Sequence, residues 1–166
     1  PPNLTSSETD YADFHAMATN NNIAPEVSFS ISKNSNTQNK YTYFNSHTIN
    51  GNTFYGPASI QSNTNSNTLD TELTFEQYDA RGNVLQYTGK DGVTTAIIWG
   101  YDSTYPVAKV IGSSYSSANA LLNRSIVDNP SSDYALRNEL NNLRTGLSGL
   151  VMVSTVTYAP LLGVTS

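Results

Sequence analysis

Two histidines, His15 and His47, and 13 acidic residues are the side chains on which proton transfer or metal binding could rest, because the chain has no cysteine. A Ser-His-Asp relay would need one of these imidazoles as its base. His47 lies in Phe44-Asn45-Ser46-His47-Thr48, no Gly-x-Ser-x-Gly elbow occurs, and serine is too common to single out one nucleophile. The carboxylates Asp70, Glu72, Glu76 and Asp79 are dense enough for a glycosidase pair, and Glu72 and Glu76 share one face of an alternating strand. They alternate with Leu73 and Phe75, however, which is the pattern of an ordinary solvent face. Asp10, Asp13 and His15 form a loose set with a single imidazole, better suited to a solvated segment than to a metal. Phosphate loops, dinucleotide fingerprints and EF-hand loops are missing from the sequence. The expectation is a chain with no catalytic residue, no metal ligand and no cofactor. A hydrolase built on His47 or the acidic strand is the enzymatic alternative.

Aromatic side chains offer a different chemistry. Tyr41, Tyr43, Phe44, Phe54 and Tyr55 are concentrated in a short stretch, and tyrosine rings present flat apolar faces with a polar edge that suits sugar stacking. Tyr41, Tyr43 and Tyr55 are therefore the candidate glycan-stacking residues. Aromatics at strand positions also pack in cross-strand pairs, which is the competing reading.

The elements that must carry these residues are mostly strands. Val27, Phe29 and Ile31 alternate with Ser28, Ser30 and Ser32, which marks a half-buried strand. Tyr41 to Phe44 begins another, and Asn50-Gly51 predicts a hairpin turn before Thr53-Phe54-Tyr55. The run from Gln61 to Thr68 is almost wholly neutral and polar, and is expected to be a mobile loop. From Leu73 to Val110 the pattern predicts a meander, with turns at 78–83 and at Lys90-Asp91-Gly92. Val93, Thr95, Ile97, Trp99 and Tyr101 share one face of its third strand, and Trp99 is the expected core anchor with Ile97 beside it. Apolar residues at helical spacing predict a helical hairpin over 115–127 and 132–145, with serines at 116–117 and 131–132 as caps and Gly146 as a left-handed stop. Period-2 alternation returns from Val151 to Tyr158. The reading is a mainly β, antiparallel fold with a helical hairpin inserted near 115–145. It divides into an irregular lead-in over 1–25 and a single β-rich domain over 26–166.

Within this frame, Tyr78-Asp79-Ala80-Arg81-Gly82-Asn83-Val84-Leu85 resembles the Y-D-x-x-G-[RN]-h-h core of the RHS/YD-repeat proteins, where h is apolar. Trp99-Gly100-Tyr101-Asp102 with Tyr105-Pro106-Val107-Ala108-Lys109-Val110 is similar to the W-G-Y-[ND] and Y-P-[IV]-A-K-[IV] segments of large secreted bacterial proteins carrying those repeats. Thr155 to Ser166 resembles the T-Y-T-Y-x-P-L-x-G-[VM]-T-S passage by which such proteins enter further repeats. The three matches cover roughly 73 to 166. Glu76 stands where the commoner Y-x-Y-D pattern has an aromatic, and only one octamer is present. The resemblance implies a segment bordering a repeat array, with Tyr78, Asp79, Gly82, Asn83, Trp99, Gly100, Tyr101, Tyr105 and Pro106 as structural motif residues.

Composition narrows the partners. The net charge is −5, and eight scattered Lys and Arg provide no basic cluster of the kind that phosphate backbones require, which argues against nucleic acid. No run approaches the roughly 20 apolar residues that span a bilayer. The 166 residues are 37% apolar and 13% charged, so neutral polar groups must cover much of the sheet. The functional expectation is a non-catalytic structural segment of a secreted or bacterial cell-surface RHS/YD-repeat protein, forming part of a β-rich shell. The alternatives are an adhesion or carbohydrate-binding module, or a docking subunit of a surface or secretion complex. The uncharged 151–166 stretch is expected to need a partner, either further repeats of the same polypeptide or another subunit adding a strand.

Overall fold

The structure, a computed structural model, describes residues 5–11, 26–33, 36–65, 68–159 and 163–164. Nine antiparallel strands follow one another in sequence order: β1 (Thr5–Tyr11), β2 (Glu26–Lys33), β3 (Asn36–Ile49), β4 (Asn52–Thr64), β5 (Asp70–Tyr78), β6 (Val84–Gly89), β7 (Thr94–Gly100), β8 (Tyr105–Ile111) and β9 (Met152–Thr155). Helices α1 (Tyr115–Asn119), α2 (Arg124–Asp128) and α3 (Asp133–Gly146) interrupt the succession between β8 and β9. A separate ribbon pairs β10 (Tyr158–Ala159) with β11 (Gly163–Val164). The mainly β, antiparallel fold with helices near 115–145 is as the sequence implies. Two compact units divide between Phe75 and Glu76, where a single domain over 26–166 was expected. The expected irregular lead-in over 1–25 contains strand β1, in register with β2 from Thr5 opposite Lys33; residues 12–25 lie outside the described residues.

The first unit has no described apolar side chain that is fully buried. Backbone ladders and polar side-chain pairs across strands hold it together. The β3–β4 hairpin turns at Asn50 and Gly51, with φ of 51° and 81°, the pair of left-handed residues that its tight turn demands. Gln61 to Thr64, expected to be loop, instead extends β4. Cross-strand bonds explain why a polar run stays ordered: Asn39 Nδ2 donates to Asn63 Oδ1 at 2.8 Å and Ser62 Oγ donates to Glu72 Oε1 at 2.8 Å. Amide and hydroxyl groups satisfy one another along the ladder, so apolar burial is not the only source of order.

The second unit holds the apolar core. Ala96 and Ile98 of β7 and Val107, Ala108 and Val110 of β8 pack with Ala118, Leu122, Val127, Leu136, Leu140 and Leu143. The three leucines of α3 recur at helical spacing and supply one continuous apolar stripe. The buried face of β7 is thus the one carrying Ala96, Ile98 and Gly100, and Trp99 and Ile97 on the other face are half-buried. Trp99 is not the core anchor because three short helices over β7–β8 favour small and branched residues beneath them.

The expected helical hairpin is resolved into three pieces. Asn123 ends the first stretch by capping α2, its Oδ1 accepting from Ser125 N at 3.1 Å, while Glu139 Oε1 accepts from Asn123 N at 2.5 Å. Ser114 caps α1 and Ser132 caps α3. Gly146 is not left-handed; it lies within α3, where a Cβ would meet Leu121 Cδ2 at 2.8 Å, and Gly149 takes the positive φ. The expected continuous strand from Val151 to Tyr158 is also shorter, since β9 ends at Thr155 and Tyr158 turns into the β10–β11 ribbon.

Candidate functional site

The octamer forms the turn between β5 and β6. Asp79 organises it: Oδ1 accepts from Arg81 N and from Asn83 N, each at 2.9 Å, and Oδ2 accepts from Asn83 Nδ2 at 2.9 Å. The backbone closes the same loop, with Asp79 N donating to Asn83 O at 2.9 Å and Gly82 N donating to Asp79 O at 3.1 Å. Gly82 sits at φ +84°, a left-handed conformation that disfavours any Cβ. Tyr78, the residue before the turn, is buried, and burial pushes its phenol up to about 12.

The Trp-Gly-Tyr-Asp segment forms a second and more strained turn, between β7 and β8. Tyr101, Asp102 and Ser103 are three consecutive non-glycine residues at φ of 52°, 55° and 57°. Left-handed residues with a Cβ cost on the order of 1 kcal/mol each, so this turn persists only if its surroundings hold it. Those holds are visible. Thr104 N donates to Gly100 O at 2.9 Å, and Tyr101 N donates to Val127 O at 3.0 Å, tying the turn to α2. Gly100 permits that contact, since a Cβ there would meet Val127 O at 2.8 Å and Val107 Cγ1 at 3.0 Å. Trp99 Nε1 donates to Val84 O at 2.9 Å, and Arg124 donates to Trp99 O at 2.8 Å. Pro106, which has no N–H to give, stands at a register shift opposite Trp99, a position where a strand tolerates proline.

The two turns hold each other. Asn83 Nδ2 donates to Ser103 O at 2.8 Å as well as to Asp79, and the Arg81 guanidinium pairs with Asp102. The third matched segment reaches the same place through Tyr158. Tyr101 Oη donates to Tyr158 O at 2.9 Å and accepts from Tyr158 N at 3.2 Å, and Tyr158 Oη donates to Pro106 O at 3.1 Å. Tyr105 stacks on Tyr158 with ring centroids 4.8 Å apart, and Tyr101 meets both rings edge-on. The structure therefore brings Asp79, Gly82, Asn83, Trp99, Gly100, Tyr101, Tyr105 and Pro106 into one connected node, with Tyr78 leading into it.

Beside this node, Tyr115 is half-buried and its phenol is raised, chiefly by burial, with Arg124 lowering it and the Asp79 and Asp128 carboxylates adding to the rise. Chemically the node is built of polar atoms aimed at backbone groups. Its carboxylates are each engaged, Asp79 with turn amides and Asp102 with Arg81.

Most of the other candidates belong to the first unit. On β3, Tyr41 and Tyr43 share a face, opposite Gln61 and Ser59, with Tyr43 44% exposed. Tyr55 is paired with Ser46 and so falls on the opposite face of the hairpin, which leaves no three-ring platform. His47 pairs with Phe54 and stacks on it at 5.4 Å. Glu72 is engaged by Ser62, while Glu76 accepts from Gln86 and from Thr88, the latter at 2.7 Å. Asp10 accepts from Ser28 Oγ at 2.8 Å; Asp13 and His15 lie outside the described residues. Among the described residues no group of three or more His, Asp or Glu is placed to hold a metal ion, and no helix is long and apolar enough to cross a membrane. A cavity of about 550 Å³ beside the node, lined by Tyr101, Asp102, Asp128, Asn129, Ser131 and Tyr158 among others, was not foreseen. Its residues come from three separated segments, and nothing in their local spacing announces it.

Compared with protein-family models, with curated proteins and with solved structures, the chain finds no match.

Proposed function

We propose that this chain is a non-catalytic structural segment of a secreted or bacterial cell-surface protein of the RHS/YD-repeat type, part of a β-rich shell or scaffold. The observation that carries the reading is the mutual locking of the two motif turns through Asn83, Asp79 and Ser103. Asp79 Oδ1 accepts from two turn amides and Asn83 Nδ2 donates to a backbone carbonyl, which is what a register-fixing turn requires. The resemblance gives all three matched segments a common purpose, and their convergence on one node supports treating them as a unit.

The scaffold is extended at β9. This strand ends the sheet order, carries no charge, and has Met152 67% exposed beside a fully exposed Leu150. A strand at the end of the sheet order with no charged side chain of its own is suited to accept another strand. In the proposed assembly that strand comes from further repeats of the same polypeptide, or from another subunit. Hydrogen exchange tests this. The outward amides of Met152–Thr155 exchange rapidly in the isolated chain and slowly in the complete secreted polypeptide; equal and rapid exchange in both would remove the reading.

A further inference from the structure

We infer that the cavity beside the motif node is a binding site for a neutral pyranoside, a single sugar unit or the end of a glycan. This stands apart from the scaffold reading. The cavity's volume of about 550 Å³ lies in the range of small-molecule sites. Tyr101 and Tyr158 are among its lining residues, and a tyrosine ring offers a flat apolar face of the kind that suits the C–H side of a sugar. Tyr101 is fixed in place by its two bonds to the Tyr158 backbone, so its ring is organised before any ligand arrives.

The remaining walls are rich in acceptors: Asp102, Asp128, Asn129, Ser131 and Asp133. Carboxylates only accept, so the complementary ligand must bring several donors. A cation and a polyol both do that, and charge decides between them. Asp102 pairs with Arg81, Asp128 with Arg124 at 2.5 Å, and Asp133 with Arg137 at 2.8 Å. Three carboxylates matched by three guanidiniums leave little net field to attract a cation, and the acceptor-rich wall disfavours an anion. Hydroxyl groups suit the remaining lone pairs. Among the described residues neither the Asn129 nor the Ser131 side chain has a hydrogen-bond partner, and both residues line the site with donor and acceptor capacity.

The test uses isotope-labelled protein titrated with three methyl glycosides, of α-mannose, β-galactose and β-glucose, and with N-acetyl-lysine methylamide as the cationic probe. At least one glycoside shifts the amides of 101–103 and 128–133 with a dissociation constant on the order of 1 mM. Asn129→Ala weakens that binding about tenfold, a loss of about 1.4 kcal/mol, and Ser131→Ala weakens it in the same direction, while Tyr43→Ala leaves it unchanged. Both residues are exposed, so folding is preserved. The inference is overturned if no glycoside shifts those amides, if the cationic probe alone does so, or if Tyr43→Ala abolishes binding that Asn129→Ala leaves intact.

Discussion

Replacing Asp79 by alanine removes three hydrogen bonds accepted by one carboxylate, two from turn amides and one from Asn83 Nδ2. The bond to Arg81 N is exposed, so water substitutes for it at little cost. The two bonds to Asn83 are part-buried, and bonds to a charged acceptor contribute about 1.5–3 kcal/mol each. Taking the low end for both, the expected loss is about 3 kcal/mol. Indirect losses act in the same direction, because Asn83 released from Asp79 no longer holds Ser103 O, and the left-handed turn at 101–103 loses a restraint. Trp99 is the chain's one tryptophan and lies between the turns, so its fluorescence reports on the unit that contains them. With a urea dependence of about 2 kcal/mol per molar, the midpoint should fall by about 1.5 M. A fall below about 0.5 M would refute the claim that Asp79 organises this node.

Gly100→Ala forces a Cβ against Val127 O and should cost about 1–3 kcal/mol, read by the same fluorescence midpoint, with the Tyr101 amide losing its protection from exchange. Tyr101→Phe removes both bonds to the Tyr158 backbone, and should lower stability by about 1–2 kcal/mol and speed exchange at the Tyr158 amide. The raised Tyr78 phenol gives a pH signature. Its proton is held more tightly in the folded state, so the stability it contributes is complete below about pH 10 and is lost as pH rises toward about 12. Urea midpoints at successive alkaline pH should show a shallower decline in Tyr78→Phe than in the parent.

Local chemistry made much of this fold legible. Asn50-Gly51 marked its hairpin because few other pairs accept two left-handed residues in succession, Gly92 marked the next turn by supplying its single positive φ, and the serine alternation around Phe29 and Ile31 marked β2. Features settled by tertiary contacts were harder to read. Period-2 alternation in β7 divided its residues into two faces but did not say which one the helices would cover, and the large Trp99 drew attention to the wrong one. The polar run after Ile60 read as loop because composition does not reveal whether Asn and Ser will find partners across a strand. The octamer and the Trp-Gly-Tyr-Asp segment were both visible, yet their direct contact through Asn83 and Ser103 bridges 20 residues and depends on the strand pairing between them. The cavity at Asn129 depends on the same kind of distant assembly.

The proposed role makes this chain one part of a larger β-scaffold, joined through β9. Electron cryomicroscopy of the proposed larger assembly tests it most directly. Another strand should run beside Met152–Thr155 at the usual spacing of about 4.8 Å, with Leu150 and Met152 covered. A β9 edge facing solvent in the complete molecule, with those two side chains still exposed, would contradict it.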